Sequence, residues 1–176
     1  MSGESLRPES AFEKRVPEGD NRERDCCTSC DFVHYENPKI IVGSVVRHDD
    51  RYLLCRRSIE PRRGYWTLPA GFLEQGETPE EGAAREAREE ANAKLRIESL
   101  LGIYSVRHIS QVQLLFLASF EEPGFSAGPE SEEVELFTWD EIPWGDLAFS
   151  SVPWALEKAR EVGSAQTFVP YRTVAD

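Results

Sequence analysis

Glu86, Glu89 and Glu90 stand at i, i+3 and i+4 within residues 71–93 of this 176-residue chain. That spacing puts all three carboxylates on one face of a helix. Like charges crowded onto one face repel and weaken the helix that carries them. An acidic face of this kind is ordinarily left to solvent, but a divalent cation removes the conflict, and Mg²⁺ takes such hard oxygen ligands. Mg²⁺ commonly travels with phosphates, so the spacing predicts metal-assisted chemistry on a phosphate compound. A metal ion polarises phosphoryl oxygens, neutralises a departing phosphate and lowers the pKa of a bound water.

The elements around the three glutamates must present them. Thr78-Pro79-Glu80-Glu81 reads as a capping box with proline at the first helical position. The pattern predicts a helix from Pro79 to about Ala91, with Asn92 as the left-handed residue that ends it. Ala83, Ala84, Ala87 and Ala91 give it a small apolar face that can lie close on a sheet. Residues 71–76 form a loop with a glycine at each end, which can bring backbone groups near a metal and a phosphate.

Gly71, five residues, Glu77, seven residues, then Arg85-Glu86-Ala87-x-Glu89-Glu90-x-Asn92-Ala93 resembles the Nudix box. The departure is Asn92, where the family usually has glycine. The resemblance implies that Glu86 and Glu90 are the principal metal ligands and that Glu89 is a further ligand or the proton acceptor. The resemblance further implies the carbonyl of Ala70 as an additional ligand. It also implies that Arg85 and Glu77 pair to brace the loop that begins at Gly71. The cofactor it implies is Mg²⁺, with Mn²⁺ as a substitute.

Composition narrows the class. Acidic residues number 32 against 20 basic ones, giving a net charge of −12 and a pI of about 4.8. A nucleic-acid or membrane partner needs basic patches, so neither is expected. A polyanionic substrate must be met by local arginines and metal. The N-terminus lacks the apolar stretch of a secretory leader, and no run has the length of a membrane span. The expected compartment is the cytoplasm, where four cysteines stay reduced.

Residues 1–25 are polar and charged without periodicity, which predicts a loosely ordered arm. Residues 40–47 and 52–57 read as strands of a hairpin turning at 48–50, and 66–68 as a short extended piece. Strands follow over 94–107, 111–120 and 133–139, with a loop over 121–131 and a turn at 140–143. A last helix capped by Ser151 runs to about Val162. This order is an α/β arrangement with a mixed sheet between helices, and the Nudix resemblance implies an α/β/α sandwich with a mixed central β-sheet. The expected division is an N-terminal arm over 1–36 and a Nudix domain over 37–170.

Glu130 and Glu133 lie in or beside the late loop, a favoured place for catalytic groups. In similar enzymes a late-loop glutamate serves as base, so both are candidates, Glu133 ahead of Glu130, as against ordinary solvated acids. Arg57 and Arg63 are candidates for the diphosphate, since guanidinium forks match phosphate oxygens. Trp66 and Tyr104 are candidates to stack on a ring, although strand aromatics are more often core.

Asn37–Gly43, residues 54–57, 66–72, 129–131 and 146–151 resemble a particular Nudix group. It holds bacterial enzymes and plant chloroplast FAD pyrophosphatases, some acting on ADP-ribose. The resemblance implies a pyrophosphatase cleaving FAD or ADP-ribose to two monophosphates, as a homodimer. The alternatives are a Nudix hydrolase for nucleoside triphosphates or capped RNA, and a catalytically silent ligand-sensing module. That group commonly begins with a zinc ribbon of two Cys-x₂-Cys knuckles. Here one knuckle, Cys27 and Cys30, is present, with His34 nearby, so the ribbon either holds Zn²⁺ through further ligands or has degenerated.

Overall fold

The computed structural model describes residues 11–163, 165 and 167–175. The chain divides into two compact units, residues 1–37 and 38–176. The first unit is a three-stranded antiparallel sheet of β1 (Phe12–Arg15), β2 (Arg24–Cys27) and β3 (Val33–His34) in that order. The loosely ordered arm expected over 1–25 is thereby corrected for residues 11–25; residues 1–10 lie outside the described residues. Every residue of β1 is exposed, so it carries no alternating apolar pattern, and that pattern is the sequence signature of a half-buried strand.

The second unit contains β4 (Lys39–His48), β5 (Arg51–Arg57), β6 (Trp66–Thr67), β7 (Ala70–Phe72), α1 (Pro79–Ala91), β8 (Leu95–Val106), β9 (Gln111–Phe120), β10 (Ser131–Thr138), α2 (Ser151–Val162) and β11 (Tyr171–Ala175). The sheet runs β10-β5-β4-β9-β8-β11, with β6 on β5 and β7 on β4. β4 and β9 are parallel, as are β8 and β11; the other pairs are antiparallel. The sheet is mixed, as expected. β11 is an element that residue pattern did not indicate.

Alternation along the strands gives the sheet two apolar faces. Val45, Leu54, Leu115 and Leu117 pack with Val152, Leu156 and Ala159 of α2. Their strand neighbours Val46, Leu53 and Ala118 pack with Ala87 and Ala91 of α1, and Val42 and Phe116 with Ala83. The helices therefore cover opposite faces, which is the α/β/α sandwich. Leu54, Leu101 and Leu156 are fully buried, each worth about 1.5–3 kcal/mol on transfer from water.

One local feature sets up the site. The β4/β5 hairpin turns at Asp49, with φ 54°, and pairs directly only at Arg47–Tyr52 and His48–Arg51. Beyond that the strands part. β7 takes the free edge of β4, and β6 that of β5. The chain from β6 into β7 is thus drawn into the split. Helix α2 starts one residue from the expected cap: Ser150 holds the N-cap position and makes no side-chain cap bond. Its hydroxyl instead accepts a hydrogen bond from the Tyr104 hydroxyl at 3.0 Å.

Candidate active site

Helix α1 forms where its caps predict. Thr78 Oγ1 accepts the Glu81 N–H at 3.2 Å, and Glu81 accepts the Thr78 N–H at 2.8 Å. Asn92 takes the left-handed conformation, φ 46°. The three glutamates share a helix but not an environment. Glu86 and Glu90 are buried, whereas the Glu89 side chain is 57% exposed. Glu90 Oε2 accepts the Ala70 N–H at 3.1 Å. Gly71 lies so close to Glu86 that a Cβ there would run into its carboxylate. Burial pushes the Glu86 carboxyl above its usual range, and pushes Glu90 up to about 8, with the charges of Glu86 and Glu130 adding.

Arg85 organises the rim. Its Nε and Nη2 donate to the two oxygens of Glu77 at 3.0 and 2.9 Å, and Nη2 also reaches the Phe72 carbonyl at 2.9 Å. The Arg85 fork, with the Glu74 amide, holds the Glu77 carboxyl down to about 2. Arg85 Nη1 lies between Glu86 and Glu89, at 2.7 and 3.0 Å.

The loop 121–130 is strapped to the end of α1. Ser126 and Gly128 donate their N–H groups to the carbonyls of Ala91 and Glu90, both at 2.9 Å. The Asn92 side-chain amide donates to Ser126 and to the Ala127 carbonyl. A glycine at position 92 would lack these bonds. The strap, together with the Ser58 N–H on the Glu130 carbonyl at 2.9 Å, positions Glu130.

These elements enclose a cavity of about 790 Å³. Ala70, Gly71, Arg85, Glu86, Glu89 and Glu90 line one part, joined by Glu130, Arg57 and Tyr104. Three expected residues lie elsewhere. Trp66 packs edge-on against Phe137 at 4.9 Å and belongs with the core. Arg63 bonds to Glu132 at 3.2 Å. Glu133 faces Arg56 at 3.6 Å. A register shift between Ser131 and Glu133 separates Glu133 from Glu130. Tyr104 is at the cavity but almost wholly buried, its ring against Trp154.

Other lining residues were missed. The Arg57 guanidinium lies over the Phe149 ring at 5.3 Å. Gln111 and Gln113 enter from the start of β9. Their i, i+2 spacing at the polar end of an apolar strand was the available signal.

A divalent cation is tested by the donor set. Glu86, Glu89, Glu90 and the Ala70 carbonyl are hard oxygen donors, and burial holds the two buried carboxyls above their usual range. The set fits such an ion. Among the described residues no three His, Cys, Asp or Glu side chains yet stand close enough to hold one, and Arg85 draws on two of the glutamates.

The NUDIX domain family model matches residues 37–156, and the Nudix N-terminal zinc-ribbon model matches residues 10–36. An ADP-ribose pyrophosphatase of Methanocaldococcus jannaschii is 33% identical over 121 residues, 65% of this chain and 69% of that protein. The NAD-capped RNA hydrolase NudC of Photorhabdus laumondii is 32% identical over 120 residues. That match spans 66% of this chain and only 46% of that protein. A crystal structure of a NUDIX hydrolase from Nitrosomonas europaea superposes with a TM-score of 0.89 at 43% identity, covering 97% of each chain.

Proposed function

The chain belongs to the NUDIX family and is a Nudix hydrolase, and on that premise we propose that it is a Mg²⁺-dependent pyrophosphatase for a nucleoside diphosphate derivative, ADP-ribose or FAD. One observation carries this reading: Glu86 and Glu90 are buried beside the Ala70–Gly71 backbone, in a cavity that also takes in Arg57 and Glu130. About 790 Å³ suits a ligand of dinucleotide size.

Glu86, Glu90, Glu89 and the Ala70 carbonyl would hold the cation. When bound, the ion supplies positive charge to the diphosphate and lowers the pKa of a water molecule. Glu130 accepts the proton of the attacking water, from a loop fixed by Asn92 and Ser58. This role falls to Glu130 rather than Glu133 because Glu130 lines the cavity and Glu133 faces Arg56. Arg57 presents its fork to the phosphate oxygens, held by its Nε bond to the Pro61 carbonyl at 2.8 Å. Arg85 and Glu77 keep the loop against α1. Water adds to one phosphorus and the bridging P–O bond breaks, so ADP-ribose gives AMP and ribose 5-phosphate, and FAD gives FMN and AMP.

ADP-ribose is supported by the name of the archaeal relative, and FAD by the sequence resemblance. A second reading, an NAD-type dinucleotide end, is favoured by relatives named NAD-capped RNA hydrolases. The chain spans about half the length of those relatives. Action as a homodimer in the cytoplasm belongs to the same proposal. Among the described residues no helix is long and apolar enough to cross a membrane.

The test is phosphatase-coupled turnover of ADP-ribose, FAD, NADH and GTP with Mg²⁺, with and without EDTA. EDTA-sensitive cleavage of ADP-ribose or FAD is expected. Binding of ADP-ribose without turnover would replace the enzyme by a sensing module, and a preference for GTP would replace the substrate class.

A further inference from the structure

The zinc-ribbon match over residues 10–36 implies a structural zinc, and the residues present do not fit one. Such a site is closed by four ligands. The chain has four cysteines, and Cys55 is a buried residue of β5 outside this unit. Cys26 is fully buried, with its Sγ 3.9 Å from the Arg15 carbonyl. Its strand neighbour Cys27 faces the other side of the sheet. Among the described residues no three candidate ligands come together.

Other contacts do the tying that a metal would do. Phe12 meets Phe32 edge-on at 6.3 Å. Arg24 bonds to Asp20 at 2.9 Å and lies over the Tyr35 ring at 5.2 Å. Thr28 donates both its N–H and its hydroxyl to the Ala11 carbonyl at 3.0 Å.

What remains of the ribbon is one knuckle, Cys27-Thr28-Ser29-Cys30. The Ser29 N–H donates to Cys27 Sγ at 3.4 Å, and the Ser29 hydroxyl lies 3.7 Å from the same sulfur. Cys27 and Cys30 line one open surface cavity together with Arg15 and Asp31. Cys30 itself is exposed. An N–H donor aimed at sulfur stabilises negative charge there, as a Cys-x₂-Cys spacing does, and the shared cavity puts the second thiol on the same surface as the first.

We propose that Cys27 and Cys30 are a redox-active dithiol, closed to an intramolecular disulfide by a low-molecular-weight disulfide. The Cys27 thiolate attacks one sulfur of the external disulfide, whose S–S bond breaks and releases one thiolate that takes up a proton. Cys30, as thiolate, then attacks the Cys27 sulfur of the mixed disulfide and expels the second external thiol. Two protein thiols are oxidised, and one external disulfide is reduced to two thiols. Cys26 and Cys55, at 0% and 1% exposure, are too deeply buried to take part, whereas Cys27 keeps 8% and opens on the cavity it shares with the exposed Cys30.

The experiment uses the full chain, produced in zinc-supplemented medium, analysed for zinc, then treated with oxidised glutathione. Trypsin releases residues 25–39 as one peptide holding Cys26, Cys27 and Cys30. The expected result is zinc far below one per two chains and a peptide lighter by two hydrogens, with backbone fragmentation suppressed between 27 and 30. Cys26→Ser should keep that mass loss. Cys30→Ser should stop at a glutathione adduct on Cys27. If Cys26→Ser fails to fold, fragmentation of the unaltered chain still locates the bond. Zinc retained at one per chain or one per two chains, a reduced pair after treatment, or a disulfide that uses Cys26 would overturn the proposal.

Discussion

The two units treat charge in opposite ways. In residues 11–37 charged side chains pair near the surface, as Lys14 does with Asp25 at 3.3 Å and Arg24 with Asp20 at 2.9 Å. In the larger unit Glu90 is buried against a single backbone amide, and Glu86 shares one arginine with two other glutamates. A buried, poorly compensated carboxylate costs folding free energy. The larger unit sustains that cost because three apolar clusters enclose its sheet. A small sheet has no such reserve. The contrast locates function: the unit with the large core carries the costly groups, and they are the candidate metal ligands.

The strongest way to break this comparison is to remove one such group. Glu90→Gln should lower kcat by about 10³-fold or more, since metal charge stabilisation is worth several kcal/mol. Circular dichroism should be unchanged; near-parental turnover would remove Glu90 from the metal site. Next in size is the core that sustains the carboxylates. Leu101→Ala should cost about 2–5 kcal/mol in denaturant unfolding, because Leu101 is fully buried. A loss as small as that of Phe12→Ala, whose parent ring is 47% exposed, would deny that the two cores differ.

Gly71→Ala tests the close approach at the site. Its Cβ would displace the Glu86 carboxylate, and displacement by about 1 Å can cost roughly 10²-fold in rate. The expected signature is lower kcat with unchanged unfolding cooperativity. The smallest effect is expected at the Arg85–Glu77 brace. The carboxyl of Glu77 is held down to about 2 from an ordinary 4.5. Its stabilising contribution is therefore present above pH 4.5 and lost as pH falls toward 2. The gap in Tm between the parent and Glu77→Gln should be widest above pH 4.5 and close below it. A gap independent of pH would mean that the pair does not contribute through charge.

Helix α1 was legible to the residue, because its signals are local. Thr78, Pro79, Glu81 and Asn92 fix both ends within the chain's own neighbourhood. The longer strands of the large sheet were legible within a few residues, since they are apolar runs bounded by turns, whereas β7 falls at the start of what reads as a loop over 71–76 and is a strand only through its pairing with β4. β1 and β11 were not, because neither buries a continuous apolar face and each is defined by its partner strand.

The sequence by itself determined that Glu86, Glu89 and Glu90 share a helix face and that this helix belongs to a Nudix-like motif, whose resemblance implied the Arg85–Glu77 pair. Only the tertiary structure decided that Glu86 and Glu90 are buried while Glu89 is not, that Glu130 rather than Glu133 lines the cavity, and that Trp66 belongs to the core while Phe149 meets Arg57. The physical reason is range. Helix periodicity and caps act over a few residues. Which carboxylate is desolvated depends on where β7 enters the split between β4 and β5, and which loop acid faces the cavity depends on a register shift in the pairing of β10 with β5.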